Sequence, residues 1–263
     1  MNDTVASNDR GLAYGDGLFE TLRVSAGGAT PLWPRHRARL LAGAERLGIP
    51  VDRDTVERCR AEALAGATGA GVLKLTLTRG PGGRGYLPPE SPTPTLFARF
   101  GPSPVWSREC RHDGLELGIC DTRLGLDPMA GFKHLNRLPQ VLGRREVARH
   151  GWHEGLMLDE WERPVEATAM NLFALHGDTL WTPALERAGV AGVAREWLLE
   201  HAERQGWCID VRMRPLSHLH AADAVFLANS VVGVLPVRKL APWVWPVTEP
   251  VRRFQRDLDL LFQ

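Results

Sequence analysis

The 263-residue chain carries 32 Lys+Arg against 31 Asp+Glu, a formal charge of +1, so no bulk field of either sign draws polyanions. This argues against a general nucleic-acid or membrane-surface binder. At 44% hydrophobic and 24% charged the composition is that of a globular protein, with one large domain or two of about 100–150 residues.

No apolar run approaches the ~20 residues of a bilayer-spanning helix. MNDTVASNDRG lacks the basic and apolar parts of a secretory signal, so a cytoplasmic protein is expected. Cys59, Cys110, Cys120 and Cys208 form no CxxC or Cys/His cluster, which predicts reduced, packed thiols and no metal site.

In chain order, YGDGLFETLRV (14–24) places a glycine turn before a β-leaning run, a loop entering a strand. HRARLLAGAERLG then shows helical spacing through Leu40, Leu41, Ala44 and Leu47, with Gly48 as the stop. A second helix is predicted over 54–66, with Asp54 as N-cap. GVLKLTLTRG alternates as a strand, Leu73, Leu75 and Leu77 on one face and Lys74, Thr76 and Thr78 on the other. After a glycine-rich loop comes a strand near 95–100, and GPSPVWSR (101–108) reads as a linker, dividing the chain into 1–100 and 109–263.

The second part opens with a strand near LELGICDT, then a helix from about Asn136 to His150 that tolerates Pro139 in its first turn. GLMLD and VEATAMNLFALHG are two apolar runs, and with the following TLWTP they predict an antiparallel meander. A helix over 195–206, strands at CIDVRMR and DAVFLANS, and a closing amphipathic helix at EPVRRFQRDLDLLFQ complete the pattern.

Lys133 stands between the small-residue segment MAGF and a predicted helix start. In a partly dehydrated pocket its pKa would fall enough for attack on an aldehyde, although by these residues alone a solvated surface lysine is the plainer reading. The segment AGFKHLNRLPQVLGRREV resembles the lysine motif of the fold-type-IV pyridoxal-phosphate enzymes. That group contains branched-chain and D-amino-acid aminotransferases and 4-amino-4-deoxychorismate lyases, and KHLNRL is most similar to the lyase form. The likeness continues through YGDGLFETLRV, GVLKLTLTRGPGGRGY, EGLMLD, VEATAMNLF, TPALERAGVAGVARE and ANSVVGVLPV, in the family's order.

The resemblance implies a mixed α/β (α+β), two-domain fold, with a small N-terminal α/β domain, a larger C-terminal pseudo-barrel domain, and pyridoxal 5'-phosphate in the cleft between them. It implies a homodimer acting on a small anionic substrate. Lys133 would be the Schiff-base lysine, and Glu166 the acid paired with the pyridine nitrogen, favouring the protonated, electron-accepting ring. Asn171 would support the cofactor or the strand. Arg39 matches the phosphate-binding arginine, a solvated helix face being the alternative.

Gly192, Val193 and Ala194 precede a helix, so their N–H groups would converge on a dianion, and Ser230 matches a further phosphate contact. On the substrate side, Thr21 stands where the lyases carry threonine and would donate a proton during elimination. Arg84 and Tyr86 lie in a loop that would close over an anion or form a plain hairpin tip. Asn136 and Arg137 would orient the ring or the substrate, helix capping being another use of Asn136.

These matches imply a carbon–oxygen lyase that yields 4-aminobenzoate and pyruvate for folate synthesis. An aminotransferase of the same fold is the alternative, and a non-catalytic binding protein a third reading. Three departures stand out: little sequence precedes Asp9-Arg10-Gly11 to form the family's first strand, EWERP offers no glycine after GLMLD, and Ala194 replaces the threonine of the aminotransferases.

Overall fold

The computed structural model describes residues 4–263. Met1–Asp3, part of the stretch left for a first strand, lie outside the described residues; from Thr4 no strand precedes Arg10, and Asp9 makes only an isolated bridge to Pro81. The chain divides into two compact units, one running to Ser103 and including Phe132–Arg137 and Phe262, the other holding Pro104–Gly131 and Leu138–Leu261. The return of 132–137 to the first unit is not visible in a division drawn at 101–108.

The first unit contains α1 (Arg10–Tyr14), β1 (Gly17–Val24), α2 (Trp33–Leu47), α3 (Arg53–Ala65), β2 (Gly71–Thr78) and β3 (Thr95–Gly101). The strands form an antiparallel sheet in the order β1-β2-β3. Leu18, Leu22, Leu73, Leu75 and Leu77 bury one face of it against Leu40, Ala44 and Val56 of the helices. Pro34 sits in the first turn of α2, where its missing N–H costs nothing, so the helix starts before the first periodic residue; Gly48, at φ +64°, ends it.

The N-cap of α3 is Asp52, which accepts from the Thr55 amide, and not Asp54, which falls inside the first turn. Thr76 and Thr78, expected on the polar face, are nevertheless buried. Asp9 covers this end of the strand, accepting from the Thr78 and Thr95 hydroxyls at 2.9 and 2.8 Å.

The second unit contains α4 (Arg108–His112), β4 (Leu115–Ile119), α5 (Leu138–His150), β5 (Glu154–Leu158), β6 (Pro164–Ala167), β7 (Asn171–His176), β8 (Thr179–Thr182), α6 (Val193–Arg204), β9 (Cys208–Val211), α7 (Ser217–His220), β10 (Ala224–Asn229), β11 (Gly233–Leu240), β12 (Trp243–Val244) and α8 (Glu249–Leu260). The path β10-β11-β4-β5-β6-β7 closes on itself because β7 also pairs with β10, making a six-membered barrel from which β8 and β9 extend. Phe173 and Phe226, register partners across that closing seam, stack with ring centroids 4.8 Å apart. The mixed α/β fold with a strand barrel is thus present, and the expected antiparallel meander runs through β5, β6, β7 and β8, while β11–β4, β4–β5 and β8–β9 outside it are parallel pairs.

The apolar run VEATAMNLFALHG holds two strands: the Ala167 amide turns back to the Met170 carbonyl at 2.8 Å and separates β6 from β7. At the glycine-poor turn EWERP, Glu162 takes φ +59° itself, a left-handed conformation costly for a residue with a Cβ. All four cysteines are free, and Cys208, expected to be packed, is exposed on edge strand β9. No helix among the described residues is long and apolar enough to cross a membrane.

Helix α5 lies on β5 through Gly155, where an added Cβ would meet Cys120 Sγ at 2.5 Å and Val147 Cγ2 at 2.8 Å. Gly155→Ala is therefore expected to destabilise the protein by about 1–3 kcal/mol through overpacking, read as a lower urea midpoint with unchanged slope.

Candidate active site

Residues 133–135 add to the free edge of β1. The Phe19 amide donates to the Lys133 carbonyl at 2.9 Å, the Leu135 amide donates to the Gly17 carbonyl at 3.0 Å, and His134 bridges Leu18. The half-buried Lys133 thereby extends its Nζ to 4.4 Å from the Phe19 ring centroid. Thr21, two residues along β1, shares the Phe19 face, because strand side chains alternate.

Two neighbouring side chains fix the Lys133 backbone. Arg137 donates from Nε to the His134 carbonyl at 2.9 Å and from Nη2 to the Phe132 carbonyl at 2.7 Å. Asn136 Nδ2 donates to the Gly15 carbonyl at 3.3 Å.

On the other face of β1, Glu20 is 1% exposed and accepts from His36 Nδ1 at 2.6 Å and from Arg39 Nε and Nη2 at 2.8 and 2.5 Å. Burial alone would raise the Glu20 carboxyl, but the Arg39 charge and hydrogen bonds, with that of His36, outweigh it and hold the pKa at about 2. Burial pushes His36 down, the neighbouring Glu20 resists, and the charges of Arg39 and Lys133 push the same way as burial. The trio is thus a neutral imidazole and a matched ion pair at neutral pH.

Arg84 and Tyr86 lie in the loop between β2 and β3, and Tyr86 is 84% exposed. Arg10 fastens this loop: its guanidinium donates to the Gly85, Tyr86 and Leu87 carbonyls at 3.0, 2.6 and 3.4 Å while Nε pairs with Asp16 at 2.9 Å. Asp16 is itself held by Arg79 at 2.7 Å.

In the second unit, Glu166 on β6 is 5% exposed. Its Oε2 accepts from the Val190 amide at 2.9 Å and its Oε1 from Gln140 Nε2 at 3.4 Å. Asn171, its register partner on β7, donates from Nδ2 to the Val190 carbonyl at 2.8 Å. The chain from 189 to 192 thus hugs these strands, and glycine is needed for it: a Cβ on Gly189 (φ +88°) would lie 2.8 Å from Leu185 Cδ2, and one on Gly192 would run into Asn171 Oδ1.

Gly192 is the N-cap of α6 and makes no side-chain cap, so the amides of Val193 and Ala194 point out of the helix end. Ser230 follows β10, whose Ala228 is the register partner of Asn171, and its turn is set by Asn229 Oδ1 accepting from the Val231 and Val232 amides at 2.9 Å. Arg195, one turn position further into α6, is pushed down by burial to about 10, with the Glu166 charge opposing.

The sequence matches the amino-transferase class IV family model over residues 17–240. The chain belongs to the class IV aminotransferase family. It is 34% identical over 261 residues to the aminodeoxychorismate lyase of Vibrio harveyi, covering 97% of this chain and 96% of that one. The crystal structure of 4-amino-4-deoxychorismate lyase from Pseudomonas aeruginosa superposes with a TM-score of 0.93 at 46% identity, covering 98% and 95% of the two chains. The branched-chain aminotransferase of Escherichia coli shares the fold, with a TM-score of 0.89 at 21% identity and coverage of 100% and 90%.

A class IV chain needs a place for a phosphorylated pyridine aldehyde, and the donor set here suits one. An uncapped helix N-terminus built on Gly192 offers backbone N–H groups for a phosphate, the buried Glu166 offers a carboxylate for a pyridinium, and Lys133 offers an amine.

Three residues beside Arg39 and Phe19 escaped the sequence reading. Glu20 and His36 carry no motif of their own, and only the strict alternation of β1, which puts Glu20 on the core face among leucines, signals a buried charge needing partners. Lys74, paired with Thr21 across β1 and β2, brings its Nζ to 5.1 Å from the Phe19 ring.

Removing one partner of the buried pair leaves the other charge uncompensated, so Glu20→Gln is expected to cost about 3 kcal/mol in urea denaturation. Glu20 titrates near 2 when folded and near its ordinary 4.5 when unfolded, so its stabilisation is lost as the pH falls from 4.5 towards 2. His36, depressed from 6.5, begins the loss earlier, because the unfolded chain takes up its proton first. Thermal midpoints measured from pH 7 to 3 should fall, and less steeply below pH 4.5 in the Glu20→Gln variant.

Proposed function

We propose that this chain is a pyridoxal 5'-phosphate-dependent aminodeoxychorismate lyase that converts 4-amino-4-deoxychorismate into 4-aminobenzoate and pyruvate. The observation that carries the reading is the Lys133 ammonium held 4.4 Å from the Phe19 ring, on the strand that also presents Thr21. The two lyases to which the chain is 34% and 46% identical support it.

Lys133 would hold the cofactor aldehyde. Arg39, the Val193 and Ala194 amides and Ser230 would hold its phosphate, and Glu166, flanked by Asn171, its ring nitrogen. Bound there, pyridoxal phosphate supplies an electron sink for the carbon bearing the substrate amine.

Lys133 would accept at Nζ the proton from the amine-bearing carbon. Thr21 donates from Oγ1 to the enolpyruvyl ether oxygen as the C–O bond breaks and the ring becomes aromatic. Glu166 would accept the hydrogen bond of the ring nitrogen, and a carboxylate there would favour the protonated ring. Arg137 and Asn136 keep Lys133 aimed through the main chain, and Arg84 and Tyr86 meet the anionic substrate from their loop. Ala194 leaves the helix end with backbone donors only, a difference from the aminotransferases that favours the lyase reading. Folate synthesis, a homodimer and a cytoplasmic location are further parts of the proposal.

Incubation with aminodeoxychorismate and no 2-oxo acid should release pyruvate, detected with lactate dehydrogenase; a requirement for an acceptor acid refutes the lyase assignment. Borohydride reduction of the pyridoxal-phosphate-loaded protein should label the peptide containing Lys133, and Lys133→Ala should abolish both label and activity. Thr21→Ala should lower kcat about 100-fold with little change in KM, as loss of a general acid does.

A further inference from the structure

The segment GPGGRGYLPPESPTP (80–94), which joins β2 to β3, has the glycine and proline content of a loose surface excursion. Its hydrogen bonds describe something firmer. The Arg10 amide donates to the Gly80 carbonyl at 2.9 Å, and the Gly82 amide donates to the Asn8 carbonyl at 3.0 Å. The Asp9 carboxylate accepts from Thr78 and Thr95, one hydroxyl from each strand that the segment joins. The base is closed.

The tip is gathered around one side chain. The Arg10 guanidinium is 4% exposed and donates to three successive carbonyls, those of Gly85, Tyr86 and Leu87. Hydrogen bonds from a charged donor are the stronger kind, and three on one group fix the peptide planes of 85–87. With these carbonyls turned inward, the Tyr86 and Leu87 side chains stand outward, 84% and 87% exposed. The Tyr86 ring is steadied too, because the Arg10 guanidinium lies 4.9 Å from the Tyr14 ring centroid and Tyr14 lies 5.4 Å from Tyr86. Gly82 makes room for the arginine: a Cβ there would lie 2.7 Å from Arg10 Cδ.

Arg10 is oriented in its turn. Its Nε donates to Asp16 Oδ2 at 2.9 Å, and Arg79 donates to the same carboxylate from Nε and Nη2 at 2.7 and 3.0 Å. Arg79 also reaches the Leu47 and Gly48 carbonyls at the end of α2, so the chain of contacts from the tip ends on a helix of the core. Without the Arg10 side chain Asp16 would still be paired with Arg79. No carboxylate is orphaned by its loss.

We propose that Arg10 is a positioning residue for substrate recognition, holding 80–94 in one preformed conformation so that Arg84 and Tyr86 meet an anionic substrate without a closing movement. It acts through the main chain of 85–87. The proposal rests on the role given to Arg84 and Tyr86 in the lyase reading, and goes beyond it in naming what orders them. A segment ordered in advance spares binding the entropy of fixing it.

The test compares pyridoxal-phosphate-loaded wild type with Arg10→Gln, Arg10→Lys and Gly82→Ala. Trypsin cuts after Arg84 when the segment opens, and the 1–84 fragment is recognised by its mass. Arg10→Gln should release that fragment about tenfold faster than wild type, with urea midpoints measured alongside to correct for any change in global stability. Arg10→Lys keeps the charge without the fork and should fall between the two. Gly82→Ala, whose added Cβ pushes the arginine stem aside, should match Arg10→Gln with every charge retained. In turnover both Arg10→Gln and Gly82→Ala should raise the KM for aminodeoxychorismate about tenfold with kcat within twofold, a split that a general loss of structure would not give. Equal release of the fragment from wild type and Arg10→Gln overturns the proposal, whatever the activity. Faster release with an unchanged KM overturns the role in recognition. Absence of pyruvate from wild type overturns the lyase reading alone, and the cleavage rates then decide the anchor by themselves.

Discussion

The arrangement of the first unit depends on a short backbone pairing, the Phe19 amide with the Lys133 carbonyl and the Leu135 amide with the Gly17 carbonyl. An unpaired strand edge exposes donors and acceptors that must be satisfied, and here they are satisfied by a segment from far downstream in the chain. That pairing sets Lys133 over Phe19, on the face that Thr21 and Lys74 share. Arg137 and Asn136 spend their donors on carbonyls in and around the same segment, so the lysine's backbone is held from both sides.

Behind that sheet lies a second constraint, the buried Glu20 carboxylate. A lone charge among leucines would be untenable, and it persists because Arg39 forks onto it and His36 completes its hydrogen bonding. Arg39 and Glu20 therefore stand as a matched ion pair. In the other unit, backbone amides open the start of α6, and Gly189 and Gly192 let that loop lie against Glu166 and Asn171.

The barrel brings residues of distant sequence into register. Closure of β7 on β10 pairs Asn171 with Ala228, which puts the Ser230 turn at the strand end where Asn171 and Glu166 meet. Where the sequence lacks a family glycine, in EWERP, the chain keeps the turn and places Glu162 in the left-handed region, anchoring it by a fork from Arg123 at 2.8 Å. The turn geometry is thus set by β5 and β6, whose pairing it must close, and the local residue preference yields to it.

The sequence by itself determined the periodic elements, because their apolar spacing is a local property: α2 with its Gly48 stop, the alternating β2 and the closing α8 are all legible in it. The lysine segment and the six others that resemble the family likewise singled out Lys133, Glu166 and Thr21, since motifs record chemistry in residue order. Tertiary structure alone decided that VEATAMNLFALHG breaks into two strands, that Lys133 docks on β1, and that Glu20 is buried against Arg39. Each of these depends on which strands lie side by side, and strand pairing is a relation between distant segments that no local spacing encodes.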